Sequence, residues 1–114
     1  MTYKQGDILL IPIPFTNLQS SKIRPVIVIS NNDYNNKTED MLVSAITSNL
    51  ADKEYTVSIN NDDLEEGVLA KPGVVRADKL YSLNQNIVKK KIARSNGIIL
   101  KNIKIQIEKL CSSV

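Results

Sequence analysis

Apolar residues in this chain occur in short runs separated by polar, turn-forming stretches, with strand-like spacing over most of the length. Ile8-Leu9-Leu10-Ile11-Pro12-Ile13-Pro14-Phe15 follows the turn Gly6-Asp7 and predicts a first strand. Pro12 and Pro14 lie two positions apart, so their missing donors point to one side and mark the strand's second half as a sheet edge or a bulged end. After a polar loop from Thr16 to Ser21, Lys22 through Ser30 predicts strand two, its centre the β-branched run Val26-Ile27-Val28-Ile29. Asn31 to Asn36 reads as a turn-rich loop. Strand three is expected over Met41–Ser48. Strand four is expected over Glu54–Ile59, where Tyr55, Val57 and Ile59 alternate. Asn60–Gly67 reads as an acidic turn with one helical turn around Leu64. Strand five runs from Val74 to Leu83, Asn84-Gln85-Asn86 breaks it, and Ile87–Arg94 is a basic final strand. Leu100, Ile103, Ile107 and Leu110 recur at helical spacing, with Ser95 or Asn96 as N-cap. Six short strands closed by one helix predict a mainly β (α+β) fold, a strongly bent antiparallel sheet or partly open barrel.

Composition narrows the chemistry. A length of 114 residues, 42% hydrophobic and 24% charged, suits one globular domain over residues 1–114. No apolar run approaches the roughly 18 residues of a membrane span, and the polar start is unlike a secretory signal, so a cytoplasmic protein is expected. Cys111 is the single cysteine and histidine is absent. That excludes an internal disulfide, a cysteine–histidine metal cluster, and every histidine-based triad or ribonuclease mechanism. No cofactor or metal is expected. Acid–base work falls to Asp, Glu, Lys, Arg, Tyr or water.

The net charge of +3 is unevenly spread. Residues 33–66 carry nine acids against Lys37 and Lys53, whereas residues 79–107 carry Lys79, Lys89, Lys90, Lys91, Arg94, Lys101 and Lys104 and no acid. Gathered on one surface, those cations would attract a polyanion; scattered, they are ordinary solvated lysines. Four tyrosines and one phenylalanine are thin material for a base-stacking platform.

Two constellations can carry chemistry. Arg24 precedes Pro25, a pair that strand interiors reject, so both are expected where strand two begins, at a sheet edge. Antiparallel pairing of strands two and three would bring Arg24 near Thr47 and Ser48, an arginine-plus-hydroxyl phosphate clamp. In the second, alternation puts Arg76 and Asp78 on one strand face. Taken alone, each is equally a surface cation, or an ion pair worth little.

In this order, Gly6-Asp7-Ile8-Leu9, Arg24-Pro25-Val26-Ile27-Val28-Ile29-Ser30, Ile46-Thr47-Ser48 and Gly73-Val74-Val75-Arg76-Ala77-Asp78 resemble the PemK/Kid and MazF family of toxins from toxin–antitoxin pairs. The resemblance implies a homodimeric, SH3-like barrel. It also implies a metal-independent endoribonuclease that cuts single-stranded mRNA at short motifs, leaving 2′,3′-cyclic phosphate and 5′-hydroxyl ends. Arg24, Thr47, Arg76 and Asp78 then match catalytic positions, Asp78 as base. Gln19, which stands where MazF-like members carry a glutamate, Lys22, Ser48 and Lys79 are expected to bind RNA. The implied protein partner is an antitoxin whose acidic, disordered tail lies across a basic groove. The alternative is a non-catalytic barrel, either a CcdB-like gyrase poison or an inactive antitoxin-binding homologue.

Overall fold

The computed structural model describes residues 2–14, 21–51 and 53–113. The strands are β1 (Asp7–Pro14), β2 (Ser21–Val28), β3 (Asp40–Thr47), β4 (Thr56–Ile59), β5 (Leu64–Gly67), β6 (Gly73–Asn84) and β7 (Lys90–Ser95). The helices are α1 (Asn32–Lys37) and α2 (Gly97–Cys111), and short 3-10 turns span Asn61–Asp63 and Gln85–Ile87. All strands join one antiparallel sheet in the order β4-β6-β3-β2-β1-β7-β5.

The outer strands of that sheet are consecutive in the chain, and this dictates its curvature. Ile59 ends β4 and Leu64 begins β5, so the link reaches at most roughly 18 Å. Seven strands laid flat would hold their outer members about 29 Å apart. The sheet therefore curls into a nearly closed barrel. Asn60 accepts from the Asp62 amide while Asp63 accepts from the Asn60 amide, and the Asp63 carbonyl takes the Asn96 amide at the β7–α2 junction. Gly67, in the left-handed region at φ +82°, lets β5 lie against β7. A Cβ there would stand 2.2 Å from the Ile92 carbonyl oxygen.

The curl sorts side chains into two cores. Ile8, Ile27, Ile46, Ile59 and Val75 fill the interior together with Ile99 and Ile103 of α2, which packs on β4 and β6. Leu9, Ile11, Val26, Val28, Met41 and Val43 form a second cluster on the other face, flanked by Tyr3, Tyr81, Leu83 and Val88. Neighbours in β1 and β2 thus point into different cores, the reason their sequences read as unbroken apolar runs. The second half of β1 lies beyond its pairing with β7, which uses only Asp7–Leu10, so the two prolines occupy an edge as expected.

Several expectations need correction. The Asn31–Asn36 loop is helix α1, capped by Asn31 accepting from the Tyr34 amide and supported by the Asp33–Lys37 pair at 3.1 Å. Leu64 opens a strand, not a helical turn, because pairing with β7 captures Leu64–Gly67. Gln85–Ile87 is a 3-10 turn, so the last strand starts at Lys90. Asn96, not Ser95, caps α2 by accepting from the Ile99 amide at 3.0 Å.

Gly67→Ala is expected to destabilise the fold by about 1–3 kcal/mol, through both its positive φ and the clash with β7. Gly97→Ala, where nothing lies within 4 Å, should be neutral or stabilising by up to about 1 kcal/mol. Denaturant midpoints of the two variants test this; equal effects would contradict the close approach at Gly67.

Candidate active site

Arg24 and Pro25 lie mid-strand in β2, opposite Ile11 and Leu10, and not at its start as their chemistry suggested. The edge is local. β3 joins β2 only from Val26, which pairs with Ala45, so the flank of Arg24 and Pro25 away from β1 is open. Carrying that register two residues further sets Arg24 opposite Thr47 just beyond the point where the strands part. Both residues, with Ser48, line a cavity of about 300 Å³. Its walls are apolar, from Leu10, Pro25, Ile46 and Leu69. Asn61 holds Leu69 in place, accepting from its amide at 2.7 Å and donating to its carbonyl at 3.1 Å.

Thr47 also faces the other way. It lines a smaller cleft with Asn49, Lys53, Thr56 and Arg76, and its hydroxyl accepts from the Asn49 amide at 3.1 Å. Arg76 reaches this cleft because β6 is held on both sides, pairing with Ala45 of β3 and Thr56 of β4. Directly after Arg76 the β3–β6 register jumps, so that Ser44 faces Leu80 and Ala77–Lys79 swing out of the β3 ladder. The Ala77 amide instead donates to the Tyr55 carbonyl at 2.9 Å. Tyr55 itself sits at φ +60°, an uncommon conformation for a tyrosine and a mark of local constraint.

The bulge places Asp78 against Arg76 in a two-pronged pair, Nε to Oδ1 at 2.8 Å and Nη2 to Oδ2 at 2.7 Å. The hydrogen bond from Arg76 holds the Asp78 carboxyl below its ordinary range, aided by the charges of Arg76 and Lys79 against a desolvation cost. Reciprocally, the same bond raises the Arg76 guanidinium. The side chains remain 22% and 31% exposed, so a polar substrate can reach both.

Arg24, Thr47, Ser48 and Arg76 therefore line two adjoining clefts, with Thr47 shared between them, and Asp78 is held beside them by its pair with Arg76. Lys22 shares the Arg24 face of β2 by alternation, and Lys79 is exposed in the bulge. Gln19 lies outside the described residues. Among the described residues no group of three or more His, Cys, Asp or Glu is placed to hold a metal ion. The long acid-free segment does not make one basic surface. Lys79 lies in the bulge, Lys89–Lys91 and Arg94 at β7, and Lys101 and Lys104 on α2.

Sequence reasoning missed the smaller cleft's other walls, Asn49, Lys53 and Thr56, since no motif marks them. Gly6-Asp7, in sequence only a turn and a motif, has a structural role as well. Asp7 is 2% exposed, takes the Lys4 amide at 2.8 Å, and pairs with Arg94 at 2.8 Å and Lys91 at 3.5 Å. The Gly6 amide bonds the Val28 carbonyl, and its own carbonyl accepts from the Ser95 amide. This motif joins the ends of β1, β2 and β7.

No curated protein sequence matches the chain. Several solved structures share its fold. A chain of the MazE–MazF crystal structure from Deinococcus radiodurans superposes with TM-score 0.79 at 21% identity, covering 96% of each chain. An endoribonuclease in complex with its cognate antitoxin, from a mycobacterial species, gives 0.77 at 16% identity, covering 94% of this chain and 92% of its own. The Mycobacterium tuberculosis toxin MazF-mt6 gives 0.69 at 15% identity over 89% and 93%. A family model described as PemK-like, MazF-like toxin of type II toxin–antitoxin systems matches residues 4–111, so this chain is a member of that family.

Proposed function

We propose that the protein is the toxin of a type II pair, a metal-independent endoribonuclease that cuts single-stranded mRNA at a short motif to 2′,3′-cyclic phosphate and 5′-hydroxyl ends. One observation carries this reading: two arginines and hydroxyl side chains line adjoining clefts that share Thr47, and a carboxylate is paired to one of those arginines. Family membership and the endoribonuclease so named among its fold relatives support it.

In this mechanism Arg24 grips the scissile phosphate and Thr47 donates a hydrogen bond to it, with Ser48 beside them. The substrate's 2′-oxygen attacks phosphorus, the bond to the 5′-oxygen breaks, and the 5′-oxyanion takes a proton from solvent. Arg76 stabilises the crowded, negatively charged phosphorane. Its very high pKa makes literal proton donation costly, so its role is electrostatic. Asp78 takes the 2′-hydroxyl proton. While paired with Arg76 it is a weak base, because the pair lowers its pKa. An arriving phosphate competes for the Arg76 guanidinium, loosens the pair and returns basicity to Asp78 as the proton must move. Gln19, Lys22 and Lys79 would contact flanking nucleotides.

The cognate partner would be an antitoxin with an acidic, disordered tail, and the working form a homodimer in the cytoplasm. No described helix is long and apolar enough to cross a membrane. A light-scattering mass near 12.7 kDa would contradict the dimer.

On single-stranded RNA, Arg24→Ala, Arg76→Ala and Asp78→Asn are each expected to slow cleavage by about 10²–10³-fold, and Thr47→Val by about tenfold. Variants as fast as wild type would move the active site elsewhere. A gyrase poison would instead keep its toxicity in all four variants.

A carboxyl whose folded pKa is depressed stabilises the fold above its unfolded value and loses that contribution as pH falls through the folded one. NMR titration should therefore find Asp78 below 3.8 in the wild type, moving up in Arg76→Ala. A wild-type midpoint at or above 3.8 would refute the closed pair.

A further inference from the structure

A second basic surface lies one strand away from the Arg24 cavity. Lys4, Lys89, Lys90, Lys91 and Arg94 line a concavity of about 620 Å³ on the β1–β7 side, with Tyr3 at its wall. Two of these cations are already matched. Arg94 and Lys91 pair with buried Asp7, and both reach Glu66, Lys91 at 2.7 Å and Arg94 at 3.1 Å. The hydrogen bond from Lys91 and the charge of Arg94 hold Glu66 ionised to lower pH than usual. Among the described residues, Lys4, Lys89 and Lys90 have no carboxylate in ion-pair range. The concavity therefore keeps a surplus of three positive charges.

Its position ties it to the candidate active site. Leu10 of β1 pairs with Pro25 on one side and Lys90 on the other, and the Lys89 amide donates to the Leu10 carbonyl at 2.9 Å. The backbone of Lys90 thus lies two strand spacings, about 10 Å, from that of Pro25. Leu10 and Pro25 both line the Arg24 cavity.

The geometry points to an RNA exosite: Lys4, Lys89 and Lys90 hold the phosphodiester backbone of substrate nucleotides that run on from the Arg24–Thr47 cleft. Lysine ammoniums are point charges that grip phosphate without reading sequence, which suits a surface for binding and not for choosing the cut. The Tyr3 ring supplies one stacking face. Among the described residues no Leu, Ile, Val or Met lines the concavity, so it lacks the apolar anchors with which an amphipathic peptide would dock. This proposal rests on the endoribonuclease reading for its substrate, but its test reads binding and not cleavage.

Short and long fluorescent 2′-O-methyl RNAs, which cannot be cut through the 2′-oxygen, are titrated by anisotropy at several salt concentrations. Wild type is compared with the double variant Lys89→Ala/Lys90→Ala and with Lys101→Ala/Lys104→Ala, a charge-matched control on α2. The β7 variant is expected to bind long RNA about tenfold more weakly, with a deficit that grows with RNA length. Its slope of log affinity against log salt should be shallower by roughly 1.4, at about 0.7 per lost contact. The control should show neither change. Unchanged affinity and slope in the β7 variant would overturn the exosite, and an equal loss in the control would reduce it to net charge. Weakened binding of polyglutamate with RNA binding intact would assign the surface to an acidic protein partner and overturn it as well. Failure of the endoribonuclease reading shows separately, as unmodified RNA left uncut by wild type.

Discussion

The short link from β4 to β5 sets the curvature of the sheet, and with it the placing of every other element. It obliges the two edges of a seven-stranded sheet to approach each other, and a flat arrangement of the same strands cannot meet that limit. The link is held by Asn60 accepting from the Asp62 amide, by Asp63 accepting from the Asn60 amide and by the Asp63 carbonyl on the Asn96 amide. It also reaches the candidate site directly, since Asn61 bonds both backbone groups of Leu69, a wall of the Arg24 cavity. Curling the sheet parts β2 from β3 before Arg24 and bends β6 after Arg76. Three candidate side chains, Arg24, Thr47 and Arg76, line the clefts beside those two departures from regular pairing.

Charge in the molecule is handled in two ways. Asp7 is buried, and its pairs with Arg94 and Lys91 fasten β1 to β7. That is a structural use, in which losing one partner strands a buried charge. The Arg76–Asp78 pair is open to solvent and sits on a bulge, where such a pair adds little to stability. A pair that costs little to break can exchange partners with a phosphate. The same residue chemistry thus serves as a clasp between β1 and β7, and on β6 it forms the couple to which the proposed mechanism gives the proton transfer.

Much of this was legible in the sequence, for physical reasons that differ by element. Runs such as Val26–Ile29 declare buried strands whatever their neighbours, and alternation was enough to place Arg76 and Asp78 on one face. The meeting of Arg24 and Thr47 followed from antiparallel pairing of consecutive strands. What stayed hidden depended on contacts distant in sequence. Leu64–Gly67 is polar and short, and is a strand only because β7 pairs with it. Gln85 reads as a breaker, yet its buried amide donates to the Asn35 and Asp40 carbonyls while its oxygen accepts from the Tyr3 amide. The bulge at Ala77–Lys79 contains no glycine or proline to announce it, and its partner is the Tyr55 carbonyl more than twenty residues earlier. The acid-free segment showed where the cations are in the chain but not that the strands would distribute them over separate surfaces.

In the proposed mechanism the clefts joined at Thr47 direct the substrate's own 2′-oxygen onto phosphorus. The most direct measurement uses an RNA cut by the wild-type protein, resynthesised with a single 2′-deoxyribose at the nucleotide 5′ to the break, with products read by mass spectrometry. The unmodified strand is expected to yield a 2′,3′-cyclic phosphate, and the deoxy strand to stay whole at that position. Cleavage of the deoxy strand at the same place and rate would show that the attacking oxygen comes from elsewhere, and would contradict the roles assigned to Asp78 and Arg76.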